Sequence, residues 1–151
     1  MRVAVPEPGS LPTGCPKQTQ RVNNEGMTGV FYFDGVCGMC TRARNFLVRH
    51  DRTGELRTDP FQAAGTAERL GVTESRMYES SWWLDESGAV YDGAHAVNAA
   101  LSAALGTRLP LAIYRIPGIR QLQEVVYRWV ADHRYRLRGT TPYCESHPVA
   151  C

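Results

Sequence analysis

The sequence is poor in several features that would point to particular classes of protein. Its formal net charge is only +2 and Lys17 is its single lysine, so nothing indicates a nucleic-acid partner. No apolar run is long enough to cross a bilayer, and residues 1–27 lack the apolar segment of a secretory signal. We therefore expect a chain without a membrane span and, by default, a cytoplasmic location.

Three common catalytic patterns are also missing. The sequence has no glycine loop of the kind that cradles phosphate, no nucleophile motif centred on serine, and no pair of carboxylates at helical spacing. His50, His95 and His133 share no spacing with a carboxylate or a nucleophile. These absences leave the cysteines as the residues from which chemistry can be argued.

Five cysteines are present, an odd number. In a cytosolic chain this count argues against a framework of structural disulfides and favours reactive or metal-binding thiols. Two of the cysteines, Cys37 and Cys40, stand three residues apart, where the strand-like residues 30–33 pass into a helical pattern. Thiols at this spacing share one helical turn, so they can close a small disulfide or bind one metal ion together.

A helix start favours ionisation of a thiol placed there. Its unpaired N–H groups and positive dipole end stabilise a thiolate, and a C-x-x-C between a strand and a helix is typical of a thioredoxin-like redox motif. Lowering a thiol pKa from about 8.5 to about 7 raises the thiolate fraction at pH 7 from about 3% to about half. We predict that Cys37 attacks a disulfide and that Cys40, one turn deeper, resolves the mixed disulfide.

Four neighbours of the dithiol are further candidate site residues. Asp34 either accepts a proton from Cys40 or binds the N–H groups of its own Asp-Gly turn. Gly38 permits close approach of a partner backbone, and Met39 offers an apolar contact beside the sulfurs. Arg42 would attract an anionic substrate, such as a glutathione carboxylate, unless it only lies on a solvated helix face.

Hydrophobic periodicity predicts a small mixed sheet with helices on both sides. The predicted strands occupy residues 28–33, 55–59, 80–84 and 89–91, and the predicted helices occupy 37–51, 61–70, 93–105, 109–116 and 119–137, with a further helical turn starting at Thr73. The order is typical of an α/β thioredoxin-like sandwich with an added C-terminal helical segment. We interpret residues 1–27 as a disordered leader, 28–138 as the domain, and 139–151 as a tail that contains Cys and His.

Some packing details follow from the same pattern. Trp82 and Trp83 are neighbours on a strand, so they point to opposite faces of a sheet that buries both. Asp92 is placed to cap the helix that follows it. The last long helix is expected to pack on the sheet through an apolar stripe, with its arginines in water. That stripe consists of Leu122, Val125, Val126, Trp129 and Val130.

The motif also carries a family resemblance. Residues 34–40 read Asp-Gly-Val-Cys-Gly-Met-Cys, residues 83–93 read WLDESGAVYDG, and residues 133–137 read HRYRL. With these segments, residues 29–138 resemble the DCC family of thiol-disulfide oxidoreductases, named for an Asp and two Cys. The resemblance implies a thioredoxin-like fold and dithiol–disulfide exchange.

One departure from enzymes of that fold bears on the substrate. They carry a cis-proline just before the third strand, where an extended substrate peptide docks, but residues 78–81 of this chain contain no proline. The substrate we expect is therefore a small-molecule thiol or a dedicated partner protein with a thiol or disulfide.

Two alternatives use the C-terminal tail. Cys144 and His147 form a C-x-x-H, and together with Cys37 and Cys40 they would make a tetrahedral zinc site. In the other, Cys144 or Cys151 acts as an additional resolving thiol in a disulfide relay. The redox function itself is expected to need no cofactor, so zinc belongs to the structural alternative.

A third alternative is a binding module that keeps the fold without turnover. The helix over residues 119–137 carries several arginines between its aromatic residues. Such a helix would face an acidic partner or lie on an anionic membrane surface.

Overall fold

The computed structural model describes residues 27–151. Except for Met27, the predicted leader lies outside these residues, as does Cys15. The described part of the chain forms a mixed α/β fold of the thioredoxin-like type, as predicted. Its strands are β1 (Gly29–Phe33), β2 (Arg57–Pro60), β3 (Trp82–Asp85) and β4 (Val90–Asp92), in the sheet order β2-β1-β3-β4.

The strand β1 lies inside the sheet. It runs parallel to β2 and antiparallel to β3, and β3 pairs in turn with β4. Phe31, Tyr32 and Phe33 are all at most 2% exposed, because side chains on both faces of an inner strand meet packed helices or loops. Asp34 is the first residue after the carboxyl end of this buried strand.

The described residues also form seven helices, numbered here in chain order. They are α1 (Gly38–Arg49), α2 (Thr66–Leu70), α3 (Glu74–Met77), α4 (Gly93–Leu105), α5 (Leu109–Tyr114), α6 (Ile119–His133) and α7 (Tyr143–Ser146), and a 3₁₀ turn covers Pro148–Ala150. Four are shorter than predicted: α1 and α5 lose one or two residues at an end, the helix over 61–70 is reduced to α2, and the last long helix ends at His133 instead of residue 137. In residues 27–151, no helix combines the length and apolarity that a membrane crossing requires.

The core consists of two clusters that meet the two faces of the sheet. Trp83, which is fully buried, packs with Phe31 and Phe33, whereas Trp82, 5% exposed, packs with Tyr32 and Phe61. The prediction that the two tryptophans point to opposite faces is confirmed. Full burial of an aromatic side chain contributes roughly 1.5–3 kcal/mol, so these neighbours anchor β3 from both sides.

The predicted caps are only partly correct. Thr73 accepts a hydrogen bond from the Arg76 N–H at 3.3 Å and so caps α3 as predicted. Asp92 does stand at the start of α4, but the prediction that its side chain caps the helix is wrong. Its carboxylate instead pairs with Arg76 at 3.2 Å.

The prediction for the apolar stripe of α6 is wrong at four of its five residues, and only Val130 faces the body of the protein. No residue of α6 is buried, and Leu122, Val125 and Trp129 are each more than half exposed. The helix faces the body of the protein with a different set of side chains at helical spacing, of which Gln123 and Tyr127 make hydrogen bonds. Gln123 accepts from Asn98 on α4 at 2.6 Å, and the Tyr127 hydroxyl accepts from the Ser81 N–H at 2.7 Å.

Candidate dithiol site

Cys37 stands at the junction of β1 and α1. It is the N-cap of α1, with extended backbone angles, so its sulfur points back over the first helical turn. The Cys40 N–H donates a hydrogen bond to Cys37 Sγ at 3.3 Å, and the Cys37 N–H donates to the Asp34 carbonyl at 3.3 Å. A thiolate at this position occupies the place that a capping oxygen takes in other helices.

The two thiols differ strongly in acidity. A hydrogen bond from the Cys40 thiol, supported by backbone N–H groups of Cys40 and Met39, lowers the pKa of Cys37 to about 6 against the opposing effects of burial and the Asp34 charge. Donating that hydrogen bond, together with burial and the Cys37 charge, raises the pKa of Cys40 well above its ordinary value. At pH 7 Cys37 is therefore mostly thiolate, and Cys40 holds the proton.

Asp34 is buried at the end of β1 and has four polar partners. Its carboxylate accepts hydrogen bonds from the Val36 N–H at 3.2 Å, the Gln62 amide at 3.0 Å and the Tyr135 hydroxyl at 3.1 Å. Arg134 lies 3.8 Å away and completes the set as an ion pair. The predicted hydrogen bond within the Asp-Gly turn is present, but it is one of several.

Arg134 connects this carboxylate to the dithiol. Its side chain is only 15% exposed, it donates to the Tyr78 carbonyl at 3.0 Å, and its positive charge opposes the rise in the Cys40 pKa. Our sequence analysis assigned no site role to Gln62, Arg134 or Tyr135. The available signal was the segment HRYRL at 133–137, which the family resemblance already contained.

The loop before β3 is closed by side chains of α6 and the residues after it. The Arg134 guanidinium donates a hydrogen bond to the Tyr78 carbonyl, and the Tyr127 hydroxyl accepts one from the Ser81 N–H. No peptide bond in the described part of the chain is cis. The backbone groups that a substrate peptide would use at this loop therefore already have partners.

The tail lies across the motif. Its contact with the motif loop and α1 consists of four hydrogen bonds at 3.0 to 3.1 Å. They run from the Thr140 N–H to the Gly38 carbonyl, from the Cys144 N–H to the Gly35 carbonyl, from the Tyr143 N–H to the Thr41 hydroxyl, and from the Arg42 guanidinium to the Arg138 carbonyl. Arg42 thus binds the chain itself, and its role towards an anionic substrate stays a prediction.

Two motif glycines make this contact possible. A Cβ atom on Gly38 would lie 2.5 Å from the Thr140 carbonyl oxygen, and one on Gly35 would lie 2.5 Å from Cys144 Sγ. Real side chains do not approach that closely, so each position needs a glycine. The backbone that comes close to Gly38 is that of the chain's own tail.

Exposure of the two sulfurs is the reverse of our expectation. Cys37, predicted to be the reachable thiol, is only 1% exposed, whereas Cys40 is partly exposed. Cys37 lies between the two glycines that the tail contacts. Cys40, together with Met39, Asp34 and Arg134, lines a mostly apolar cavity of about 90 Å³ beneath α6.

The other two described cysteines form a disulfide, Cys144–Cys151, while Cys37 and Cys40 are free thiols. His147 stacks on the Tyr143 ring at 4.3 Å and does not approach the motif pair. Within residues 27–151, no three His, Cys, Asp or Glu side chains are gathered in a way that could hold a metal ion. The structure therefore does not bring the four predicted zinc ligands together.

Comparison with known proteins identifies the family of this chain. The uncharacterized protein YuxK of Bacillus subtilis (strain 168) is 26% identical over 119 residues, covering 76% of this chain and 84% of that protein. A DCC family protein of Arabidopsis thaliana, named as chloroplastic, is 28% identical over 134 residues, covering 85% of this chain and 76% of that protein. No solved structure gives a significant match. The family model for DCC1-like thiol-disulfide oxidoreductases matches residues 31–140, and the chain belongs to that family.

Proposed function

We propose that the protein exchanges disulfides through Cys37 and Cys40, with Cys37 as the attacking thiol. The observation that carries the proposal is the placement of Cys37 as the N-cap of α1, where its sulfur accepts a hydrogen bond from the Cys40 N–H at 3.3 Å; this environment lowers the pKa of Cys37 and raises that of Cys40. A thiolate is the nucleophile in disulfide exchange, and the neighbouring protonated thiol is held in reserve for the second step. Membership of the family supports the same class of reaction.

The reaction would proceed in two displacements. The Cys37 thiolate attacks one sulfur of a substrate disulfide, forms a mixed disulfide and expels the other sulfur as a thiolate. Cys40 then loses its proton to the Asp34 carboxylate, attacks Cys37 Sγ and releases the second substrate thiol. Two electrons pass from the protein dithiol to the substrate, and the protein is left with a Cys37–Cys40 disulfide.

The substrate that fits best is small or is a dedicated partner. The Tyr78 carbonyl and the Ser81 N–H, which would pair with an extended peptide, are already bonded to Arg134 and Tyr127. Gly38, Met39 and Arg42 remain our predicted substrate contacts, and a substrate reaches them when the tail moves aside. The cytoplasmic location likewise remains a prediction.

Single substitutions test the assignment of roles. Reduced protein is mixed with oxidised glutathione, in a Cys15→Ser/Cys144→Ser/Cys151→Ser background so that Cys37 and Cys40 are the only thiols. Cys37→Ser should abolish exchange, and Cys40→Ser should accumulate a glutathione adduct on Cys37 that is visible by intact-protein mass spectrometry. Equal trapping by the two single variants would contradict the assignment.

The exposed side of α6 favours a second candidate, a module that binds an acidic protein partner. Leu122 and Trp129 are more than half exposed there, and Arg120 and Arg128 are exposed on the same helix. This candidate predicts that the double variant Cys37→Ser/Cys40→Ser keeps full biological activity, whereas the redox function predicts that it loses it.

A further inference from the structure

The tail disulfide Cys144–Cys151 lies against the motif loop. We propose that it is a second redox centre, which exchanges electrons directly with Cys37 and Cys40 inside the same chain. The inference rests on the proposed function of the motif pair. It also concerns a feature beyond the family match, because that match ends at residue 140 and both tail cysteines follow it.

Cys144 lies directly against the motif loop. Its N–H is bonded to the Gly35 carbonyl at 3.0 Å, and its sulfur lies 3.6 Å from the amide oxygen of Gln62, whose other end binds Asp34. Gly35 precedes Cys37 by two residues, so their Cα atoms are at most about 7 Å apart. Cys144 Sγ is thus held beside the motif loop, and the relay requires α7 to shift so that this sulfur reaches Cys37 Sγ.

The difference in exposure between the pairs is the second step. Cys37 is 1% exposed beneath the tail, whereas Cys151 is exposed. A thiol or disulfide arriving from solvent therefore meets the tail pair before it meets Cys37. Exposed disulfides are the ones that exchange readily, in contrast to buried structural ones.

The transfer balances without any further reagent. The Cys37 thiolate attacks Cys144 Sγ, the Cys144–Cys151 bond breaks, and Cys151 leaves as a thiolate into solvent. Cys40 then gives its proton to Asp34 and attacks Cys37 Sγ, so that Cys144 leaves as a thiolate. The motif pair ends oxidised, the tail pair ends reduced, and a low-molecular-weight disulfide in solution reoxidises the tail.

The attack on Cys144 rather than Cys151 follows from the geometry. Cys144 is the partly buried member that contacts the motif loop, while Cys151 faces water, which solvates a departing thiolate. Tyr143, the preceding residue, packs edge-on against Phe33 with 5.3 Å between ring centroids. This contact keeps the disulfide over the motif.

Trapping of the intermediate tests the relay. In a Cys15→Ser background, the variant Cys40→Ser/Cys151→Ser retains only Cys37 and Cys144. The relay predicts that mild oxidation links these two within one molecule, as shown by peptide mapping, at least about tenfold faster than it links Cys37 to Cys151 in the matched variant Cys40→Ser/Cys144→Ser. Equal rates, or links only between molecules, would overturn the proposal.

A second measurement covers the case in which the double variants do not fold. In the single variant Cys40→Ser, attack of Cys37 on the intact tail disulfide frees Cys151 without added oxidant, and rapid alkylation labels Cys151. Cys37→Ser is the control, and it should leave Cys151 unlabelled. Equal labelling in the two variants counts against the relay.

The relay can fail while the proposed function holds. In the Cys15→Ser background, the variant Cys144→Ser/Cys151→Ser keeps only the motif pair, and its exchange with oxidised glutathione tests that pair alone. Exchange in this variant combined with no link between Cys37 and Cys144 rejects the relay only, whereas no exchange rejects the function of the motif pair.

Discussion

The two cysteine pairs of this protein occupy opposite kinds of environment. Cys37 and Cys40 follow an inner strand. The Cys40 N–H donates a hydrogen bond to Cys37 Sγ, and Cys40 packs against the aromatic core. Cys144 and Cys151 lie in the last residues of the chain, held by backbone hydrogen bonds and one stacked ring. The thiol with the lowered pKa is thus the buried one, whereas the tail pair includes the exposed Cys151.

This contrast teaches that reactivity and access are separate properties. The lowered pKa of Cys37 comes from groups within the first turn of α1, which the chain places locally. We expect access to Cys37 to be governed by residues about a hundred positions later, because the tail contacts Gly35 and Gly38 on either side of it. Each property can therefore be changed by substitutions that leave the other alone.

The largest expected effect is on the access of solvent reagents to Cys37. Deletion of residues 139–151 removes three of the four tail hydrogen bonds, each worth about 1 kcal/mol net. Since about 1.4 kcal/mol corresponds to a tenfold change in an equilibrium, we expect Cys37 to react with iodoacetamide at least about tenfold faster.

The control for this deletion is a shorter truncation. Removal of the residues after Ser146, combined with Cys144→Ser, keeps every tail residue that bonds the motif. Equal alkylation rates in the two truncated proteins would show that the tail does not cover Cys37.

The next effect concerns acidity and leaves access unchanged. Cys40→Ala removes the side-chain donor that does most to lower the pKa of Cys37, so the pKa should rise from about 6 towards the ordinary thiol value. Because a lowered pKa means that the thiolate forms as the pH rises through about 6, the thiolate absorbance near 240 nm should shift to higher pH.

Cys40→Ser is the matched control for that titration. Its hydroxyl can still donate to the Cys37 sulfur, so its midpoint should stay below that of Cys40→Ala. A common midpoint for both variants would mean that the first-turn N–H groups alone set the acidity.

A smaller effect on access is expected from Gly38→Ala. The new methyl would lie 2.5 Å from the Thr140 carbonyl oxygen, so the tail must shift, and we expect a several-fold faster alkylation of Cys37. Thr140→Ala is the control, because it keeps the backbone bonds, and its alkylation rate should match that of the parent protein.

The smallest effect is expected at the carboxylate. Tyr135→Phe removes one of the hydrogen bonds to Asp34, a loss of roughly 1–2 kcal/mol in the free energy of unfolding, measured by urea denaturation. Tyr91→Phe removes a similar hydroxyl contact to Asp85, 3.4 Å long and separate from the dithiol. Only Tyr135→Phe should also slow exchange with oxidised glutathione.

Much of the fold was predictable because its signals are local. The apolar run of β1, the positions of Cys37 and Cys40 and the two faces of Trp82 and Trp83 follow from neighbouring residues. The exposed stripe of α6 was not predictable, since the helix has two possible inward sides. The side of α6 that carries Gln123 and Tyr127 faces the protein, and it is held there by specific hydrogen bonds rather than by hydrophobic burial.

The site was predictable only where its residues are close in sequence. Asp34 and the dithiol lie in one short segment, but Gln62 and Tyr135 reach Asp34 from 28 and 101 residues away. The contact of the tail with the motif is harder still to predict from sequence. Thr140 and Cys144 contribute backbone N–H groups, which every residue except proline has.

The backbone contacts of the tail place few demands on the side chains at residues 140 and 144. A strap held by main-chain donors at residues 140 and 144 tolerates many side chains, as long as two glycines lie opposite. Proline is the one replacement that removes such a donor outright. Relatives could therefore differ widely in this stretch and keep the same backbone contacts, and a single proline at either place would remove one of them.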